Sequence, residues 1–177
     1  MFDEEFSLSR IPLAYFITFR CYGTWLHGDE RGSVDRLYNT YGTPFYPVDK
    51  PLEEEERRRM KHSPVELDDA RRVIVDHAIR EVCQHRKWKL LAINVRTNHV
   101  HVVVSATCKP EKVLNDFKAY ATRAMRSGGA WSRPASPWSG HGSRRYLWKP
   151  QQVECACDYV LNHQGDDIVP DFGDDVE

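Results

Sequence analysis

The run Asn98-His99-Val100-His101-Val102-Val103-Val104 constrains the fold more than any other stretch of the chain. Val100, Val102 and Val104 alternate with His99, His101 and Val103, which is the period of a β-strand. Side chains two apart on a strand share a face, with origins roughly 6–7 Å apart. The three alternating valines therefore define a core face, and His99 and His101 lean together over the other. Two readings of that pair are open. The imidazoles could hold a divalent metal between them, or they could be two histidines on the wet face of a half-buried strand.

The flanking sequence supplies partners for this strand. Trp88 to Val95, with Leu90, Leu91 and Ile93, reads as a second strand, and Arg96-Thr97-Asn98 is a tight connection, so the two should form an antiparallel hairpin. Upstream, Pro12 to Leu26 contains Ala14-Tyr15-Phe16-Ile17-Thr18-Phe19-Arg20, rich in aromatic and β-branched residues and again strand-like. Ser63-Pro64-Val65-Glu66 has the cap, proline and glutamate of a helix start. From there Leu67, Ala70, Val73, Ile74, His77, Ala78, Glu81 and Val82 keep a 3.6-residue period to about Arg86. Pro110 opens a second helix with an apolar stripe of Val113, Leu114, Phe117, Ala121, Ala124 and Met125, and Ser127-Gly128-Gly129 ends it. Residues 130–142 read as irregular, Arg144 to Trp148 as a short strand, and Pro150 to His163 as a third helix stopped by Gly165.

The resulting order is strand, helix, strand, strand, helix, short strand, helix. This predicts an α+β, ferredoxin-like antiparallel sheet (β-α-β-β-α-β) with helices on one face and an added C-terminal helix. The face carrying His99 and His101 would stay open for a ligand. Residues 1–165 are expected to form a single domain and 166–177, with six acids, an acidic tail. Residues 27–64 read as a loop insertion. Within it, Glu53 to Arg59 is read as an exposed polar segment in preference to a short helix with opposite charges at i, i+4.

Charge is unevenly spread. The formal net charge is −1, yet from Arg86 to Lys149 there are 13 Lys and Arg against two acids, Glu111 and Asp116. Such a concentration favours a polyanion surface, the other reading being that acidic and basic parts pair across the fold. Cys21, Cys83, Cys108, Cys155 and Cys157 are odd in number and irregular in spacing, so reduced thiols are expected rather than a disulfide framework. No apolar run approaches a bilayer span and the N-terminus is acidic, so the expectation is a soluble cytoplasmic protein with no membrane partner.

The third helix carries Tyr159 and His163, which share a face at i, i+4. Packed beside the open sheet face, that helix would gather a phenol and a third imidazole around the strand pair. This is a metal site with a nucleophile next to it, the phenol being weak until deprotonated because its free pKa is about 10. The alternative is an ordinary core tyrosine and a histidine that helps end the helix.

Thr97-Asn98-His99-Val100-His101-Val102-Val103 resembles the Asn-His-hydrophobic-His segment of the HUH single-strand endonucleases, and in particular single-tyrosine transposases of the insertion-sequence 200/605 type and their REP-associated relatives. Leu114 to Met125 is similar to the basic helix that follows in that family, and Tyr146-Leu147-Trp148 with Asp158 to Gln164 resembles its closing helix. The resemblance covers roughly residues 12–26 and 66–165. It implies cleavage of single-stranded or hairpin DNA with a covalent 5′-phosphotyrosine link and a free 3′-hydroxyl. Tyr159 matches the nucleophile, and His99 and His101 match the pair that holds Mg²⁺ or Mn²⁺.

The third ligand of the resemblance falls on His163, with Gln164 as the fallback. Relatives often carry Gln four residues after the tyrosine, where this chain has His163. Three imidazoles would favour transition metals over Mg²⁺. Lys118, Arg123, Arg126, Arg144, Arg145 and Lys149 are candidate phosphate contacts, and Trp131, Trp138 and Trp148 candidate stacking partners for unpaired bases. Tyr120 reads as structural. The resemblance leaves open whether Tyr159 serves its own chain's histidines or those of a partner in a homodimer. A metal hydrolase is discounted, because positions 102–107 supply no further ligands. A non-catalytic, domesticated nucleic-acid-binding regulatory module on the same fold is the alternative.

Overall fold

The computed structural model describes residues 11–27 and 48–162. Eight elements follow one another: β1 (Ala14–Cys21), α1 (Lys50–Arg59), α2 (Asp69–Arg86), β2 (Lys89–Val95), β3 (His99–Ser105), α3 (Pro110–Ser127), β4 (Trp138–Leu147) and α4 (Pro150–Asn162). The strands form one sheet in the order β2-β3-β1-β4, with every neighbouring pair antiparallel. This is the α+β antiparallel arrangement expected from the sequence. Among the described residues no helix is long and apolar enough to cross a membrane.

Strand alternation separates two cores. Tyr15, Ile17, Phe19, Val100, Val102 and Val104 face α2 and α3 and are buried with Val75, Ile79, Val82, Val113, Phe117, Ala121 and Met125. Phe16, Ala92, Val103 and Leu147 point the other way and are buried with Ala156, Tyr159 and Val160 of α4. The expected valine face is therefore the main core. The histidine face is not left open along its whole length, because α4 lies on part of it. A short helix with an apolar stripe must bury that stripe somewhere, and the Phe16–Val103 patch is where it goes.

Several boundaries differ from the sequence reading. Helix α2 begins at Asp69, where the Asp68 carboxylate accepts from the Arg71 N–H at 2.8 Å. Residues 65–67 are instead drawn along the hairpin: the Val65 N–H donates to Tyr22 O at 2.9 Å and the Leu67 N–H to Thr97 O at 2.7 Å. The long-range bonds outcompete the local capping pattern at Ser63. The buried stripe of α2 is Val75, Ala78, Ile79, Val82 and Cys83, so Ala70, Val73, His77 and Glu81 of the expected stripe lie in solvent.

The segment read as merely exposed, Glu53 to Arg59, is helical. Asp49 caps α1 through the Leu52 N–H, and Glu53–Arg57, Glu54–Arg58 and Glu55–Arg59 pair at i, i+4. Strand β4 starts at Trp138 instead of Arg144. Its register slips, Gly142 facing Phe19 but Trp138 facing Cys21, so four steps of β4 span two of β1. Gly140 and Gly142 within it hide the strand from a propensity reading. A Cβ at Gly142 would sit 2.8 Å from Thr18 O and 3.0 Å from a Leu114 methyl, so α3 closes directly onto this backbone. The Lys118 ammonium donates to Ser139 O at 2.8 Å and His141 O at 3.0 Å, across the slipped register.

Candidate functional site

The sheet register decides which side chains surround the two histidines. Across β1 and β3, Thr18 lies opposite His101 and Arg20 opposite His99. Across β2 and β3, Asn94 lies opposite His101. Directly opposed residues share a face, so Thr18, Arg20 and Asn94 join the imidazoles on one surface. The His99 and His101 rings stand 4.6 Å apart between centroids, at 70°.

Each ring is held at Nδ1. His99 Nδ1 lies 2.6 Å from Asn98 Oδ1, and His101 Nδ1 lies 2.8 Å from Thr18 Oγ1. A carboxamide oxygen only accepts, so Nδ1 of His99 carries a proton. His101 is 4% exposed, which corrects the expectation of a ring on an open face. Burial, reinforced by His99, Arg20 and Arg96, pushes its pKa down to about 3. The ring is therefore neutral at physiological pH, which is the form that ligates a metal.

Helix α4 brings the phenol to this pair within the same chain. The Tyr159 ring lies 5.6 Å from the His101 ring at 71° and 6.0 Å from Phe16 at 79°. Phe16 in turn stacks on His101 at 5.4 Å. Tyr159 is 7% exposed. The helix is tied at both ends: the Asn94 amide donates to Val160 O at 3.0 Å, and buried Gln152 Oε1 accepts from the Trp148 and Lys149 N–H groups at 2.7 and 3.0 Å. The second contact is the glutamine half of a capping box, reaching back over the proline that opens the helix.

Two imidazoles projecting from alternate positions of one strand suit a divalent cation, and a nitrogen donor set favours Mn²⁺ or another transition ion over Mg²⁺. Among the described residues no group of three or more His, Cys, Asp or Glu forms a complete cage. His163 and Gln164, the expected third ligand and its fallback, lie outside the described residues, as do residues 28–47 of the insertion and the acidic tail.

The candidate nucleic-acid residues divide. Trp131 and Trp138 are buried, their indole N–H groups donating to Ala135 O at 2.9 Å and Thr122 Oγ1 at 3.0 Å, and Trp138 packs edge-on against Phe19. They are core residues and have no face for a base. Trp148 is 40% exposed and stacks on Tyr146, itself 42% exposed, at 5.9 Å and 11°. Lys118 is engaged by β4 carbonyls, and burial pulls its pKa down to about 8.

Arg126 donates to Pro134 O at 2.8 Å and Arg144 to Glu111 at 2.9 Å. Arg123 is exposed, its guanidinium 5.1 Å from the ring of half-buried Tyr120. Lys149 is exposed at the start of α4, and Arg145, opposite Phe16, is the one of this set on the histidine face. Among the described residues Arg86 and Lys112 pair with Asp116, and Arg144 with Glu111.

Thr18, Asn94 and Arg20 were not singled out from the sequence. Thr18 and Arg20 alternate with the core residues of β1, but nothing local says that β1 pairs with β3 in this register. Asn98 precedes the histidines in sequence, but its side-chain contact to His99 emerges only in three dimensions.

The sequence profile of the family described as Transposase IS200 like matches residues 57–154. No curated protein sequence matches the chain significantly. Among solved structures it is similar to a REP-associated tyrosine transposase bound to a REP hairpin, at 12% identity and a TM-score of 0.45, over 85% of this chain and 66% of that one. It is also similar to a protein assigned as a transposase from Deinococcus radiodurans R1, at 11% identity and a TM-score of 0.44, over 85% of this chain and 89% of that one. The chain thus spans just under two thirds of the first of these proteins.

Proposed function

The chain belongs to the IS200-like transposase family, and from that premise we propose that it nicks and rejoins single-stranded, hairpin-bearing DNA through Tyr159. One observation carries the reading: the Tyr159 ring lies 5.6 Å from an imidazole that is itself 4.6 Å from a second. Phenol and imidazole pair come from elements some sixty residues apart, so their meeting is a property of the fold and not of local sequence.

In this reading Tyr159 Oη attacks the scissile phosphorus as its proton passes to solvent. The P–O3′ bond breaks, and the 3′ oxygen leaves as a hydroxyl after taking up a proton. The 5′-phosphate stays on the tyrosine as a phosphodiester, so the bond energy is retained. Attack by a 3′-hydroxyl reverses the step and joins strands without an external energy source. His99 and His101 would hold the divalent cation, Mn²⁺ or Mg²⁺, which when bound supplies stabilisation of charge developing at the phosphate. His101 serves this role as a neutral ring. Asn94 holds α4 against the sheet and Gln152 caps its first turn, which together fix the distance of the attack. Arg145 on the histidine face, Lys149, and the exposed Tyr146–Trp148 stack at the end of β4 provide cationic and aromatic contacts for a single strand.

The test is a denaturant-resistant protein–DNA adduct. The full chain is incubated with single-stranded DNA carrying an imperfect hairpin and Mn²⁺, then run on a denaturing gel. The adduct should form with the wild type and vanish in Tyr159→Phe, whose DNA affinity is unchanged. Binding without any adduct across a panel of hairpins would reject the nuclease reading and leave a regulatory DNA-binding module. A homodimer in which Tyr159 acts on the partner would show itself by adduct formation when a Tyr159→Phe chain is mixed with a His101→Asn chain. The packing of Tyr159 on its own chain's His101 supports the opposite result.

A further inference from the structure

We infer that Thr18 is a positioning residue that fixes the tautomer of His101, so that Nε2 is the nitrogen offered to a cation. The inference rests on the metal-binding reading of the histidine pair. Thr18 and His101 are two of the three buried polar or charged residues among the described residues. They face each other across the β1–β3 ladder, and Thr18 Oγ1 lies 2.8 Å from His101 Nδ1.

A neutral imidazole carries one proton, and which nitrogen holds it is set by the partner of the other. A hydroxyl can donate or accept. If Thr18 donates to Nδ1, the proton of His101 sits on Nε2, and that nitrogen is closed to a metal. If Thr18 accepts, Nδ1 is protonated and Nε2 presents its lone pair. His99 supplies the comparison. Its Nδ1 faces Asn98 Oδ1 at 2.6 Å, an acceptor that allows only the Nδ1–H form. With both rings protonated at Nδ1, Nε2 is on each ring the nitrogen that would ligate, and the rings already stand 4.6 Å apart. By accepting from Nδ1, Thr18 would do for His101 what Asn98 does for His99, as outer partners of metal-binding imidazoles commonly do.

The position also explains why threonine stands here. β1 needs a β-branched residue that fits a pleated, half-buried surface, and Phe16 and Arg20 flank Thr18 on the same face. Valine would satisfy the strand equally well but would leave a buried Nδ1 without an oxygen.

The experiment compares wild type, Thr18→Ser, Thr18→Cys and Thr18→Val. Long-range ¹H–¹⁵N spectra of the metal-free proteins read the tautomer of His101. Titration with Mn²⁺ alone, followed by loss of the free-ion electron paramagnetic resonance signal and by broadening of the His99 and His101 resonances, reads affinity. The wild type and Thr18→Ser should show Nδ1–H on His101 and bind Mn²⁺ within about threefold of each other. Thr18→Val should move the proton to Nε2 and weaken Mn²⁺ binding about 10- to 100-fold, the usual effect of losing such an outer partner. Thr18→Cys, which keeps a weak acceptor, should fall between, and it carries the test if the valine variant does not fold. Wild-type tautomer and affinity in the valine or cysteine variant would overturn the role of Thr18 while leaving the metal site standing. A wild type whose histidine resonances ignore Mn²⁺ would overturn the metal reading and this inference with it.

Discussion

Replacing His101 by Asn should flatten the acid limb of the protein's stability curve. The folded ring resists protonation to about pH 3, chiefly because it is buried and then because His99, Arg20 and Arg96 stand nearby. In the unfolded chain the same ring takes up a proton near its free value of about 6.5. Between these values the unfolded state binds more protons, so unfolding free energy falls as pH falls. The contribution is fully present above the unfolded pKa, declines at about 1.4 kcal/mol per pH unit, and is exhausted near pH 3. From pH 7 to pH 4 the ring therefore removes roughly 3 kcal/mol of stability, a large part of a marginal total. Asparagine keeps an amide in reach of Thr18 and cannot titrate. The assay is urea unfolding at half-unit pH steps from 7 to 4 in the presence of EDTA, with wild-type and variant curves subtracted. The variant should be the less stable at pH 7 through lost packing, and the gap should close or invert by pH 4. A difference that stays level across that range would refute the argument that His101 is buried as a neutral ring.

Other perturbations separate surface from core and test the tightest contact. Trp148→Ala should weaken binding of unpaired oligonucleotides by about 1–3 kcal/mol, measured by fluorescence anisotropy, with little change in melting temperature. Trp138→Ala, by contrast, should cost about 3–5 kcal/mol of folding stability because that indole lies in the main core. Gly142→Ala should destabilise the fold by about 1–3 kcal/mol in denaturant titration, since the added methyl meets the Thr18 carbonyl and Leu114 and neither can move freely.

How much of this was legible in the chain depended on whether the signal was local. The alternation of Val100, Val102 and Val104 with the histidines names both the strand and its faces, and five of the six residues of the α3 stripe are buried, with Ala124 half-buried beside them, because a 3.6 period is a local property. The start of α2 was misread because Ser63-Pro64 carries a good capping pattern, but backbone bonds to Tyr22 and Thr97, far off in sequence, hold the next residues extended. The helicity of α1 was undervalued because its support is a ladder of i, i+4 charge pairs with no buried face. Strand β4 was cut short because its glycines lower strand propensity while packing under α3 requires Gly142.

At the site, strand alternation put His99 and His101 on one face, while Tyr159 stood out as a nucleophile only through the family resemblance. The partners that orient them, Thr18, Asn94 and Gln152, are set by register and helix docking. Trp131 and Trp138 illustrate the converse error: a tryptophan in a basic, glycine-rich stretch reads as a stacking surface until its burial is seen.

The central claim is that one chain holds a cation between His99 and His101 beside its own Tyr159. A crystal structure of the full chain soaked with Mn²⁺, with data collected at the manganese absorption edge, tests it most directly. The account predicts an anomalous peak on the Nε2 side of both rings, at bonding distance from each, with the Tyr159 hydroxyl of the same chain facing it. A peak elsewhere on the surface, or a Tyr159 hydroxyl turned away from the histidine pair, would contradict it.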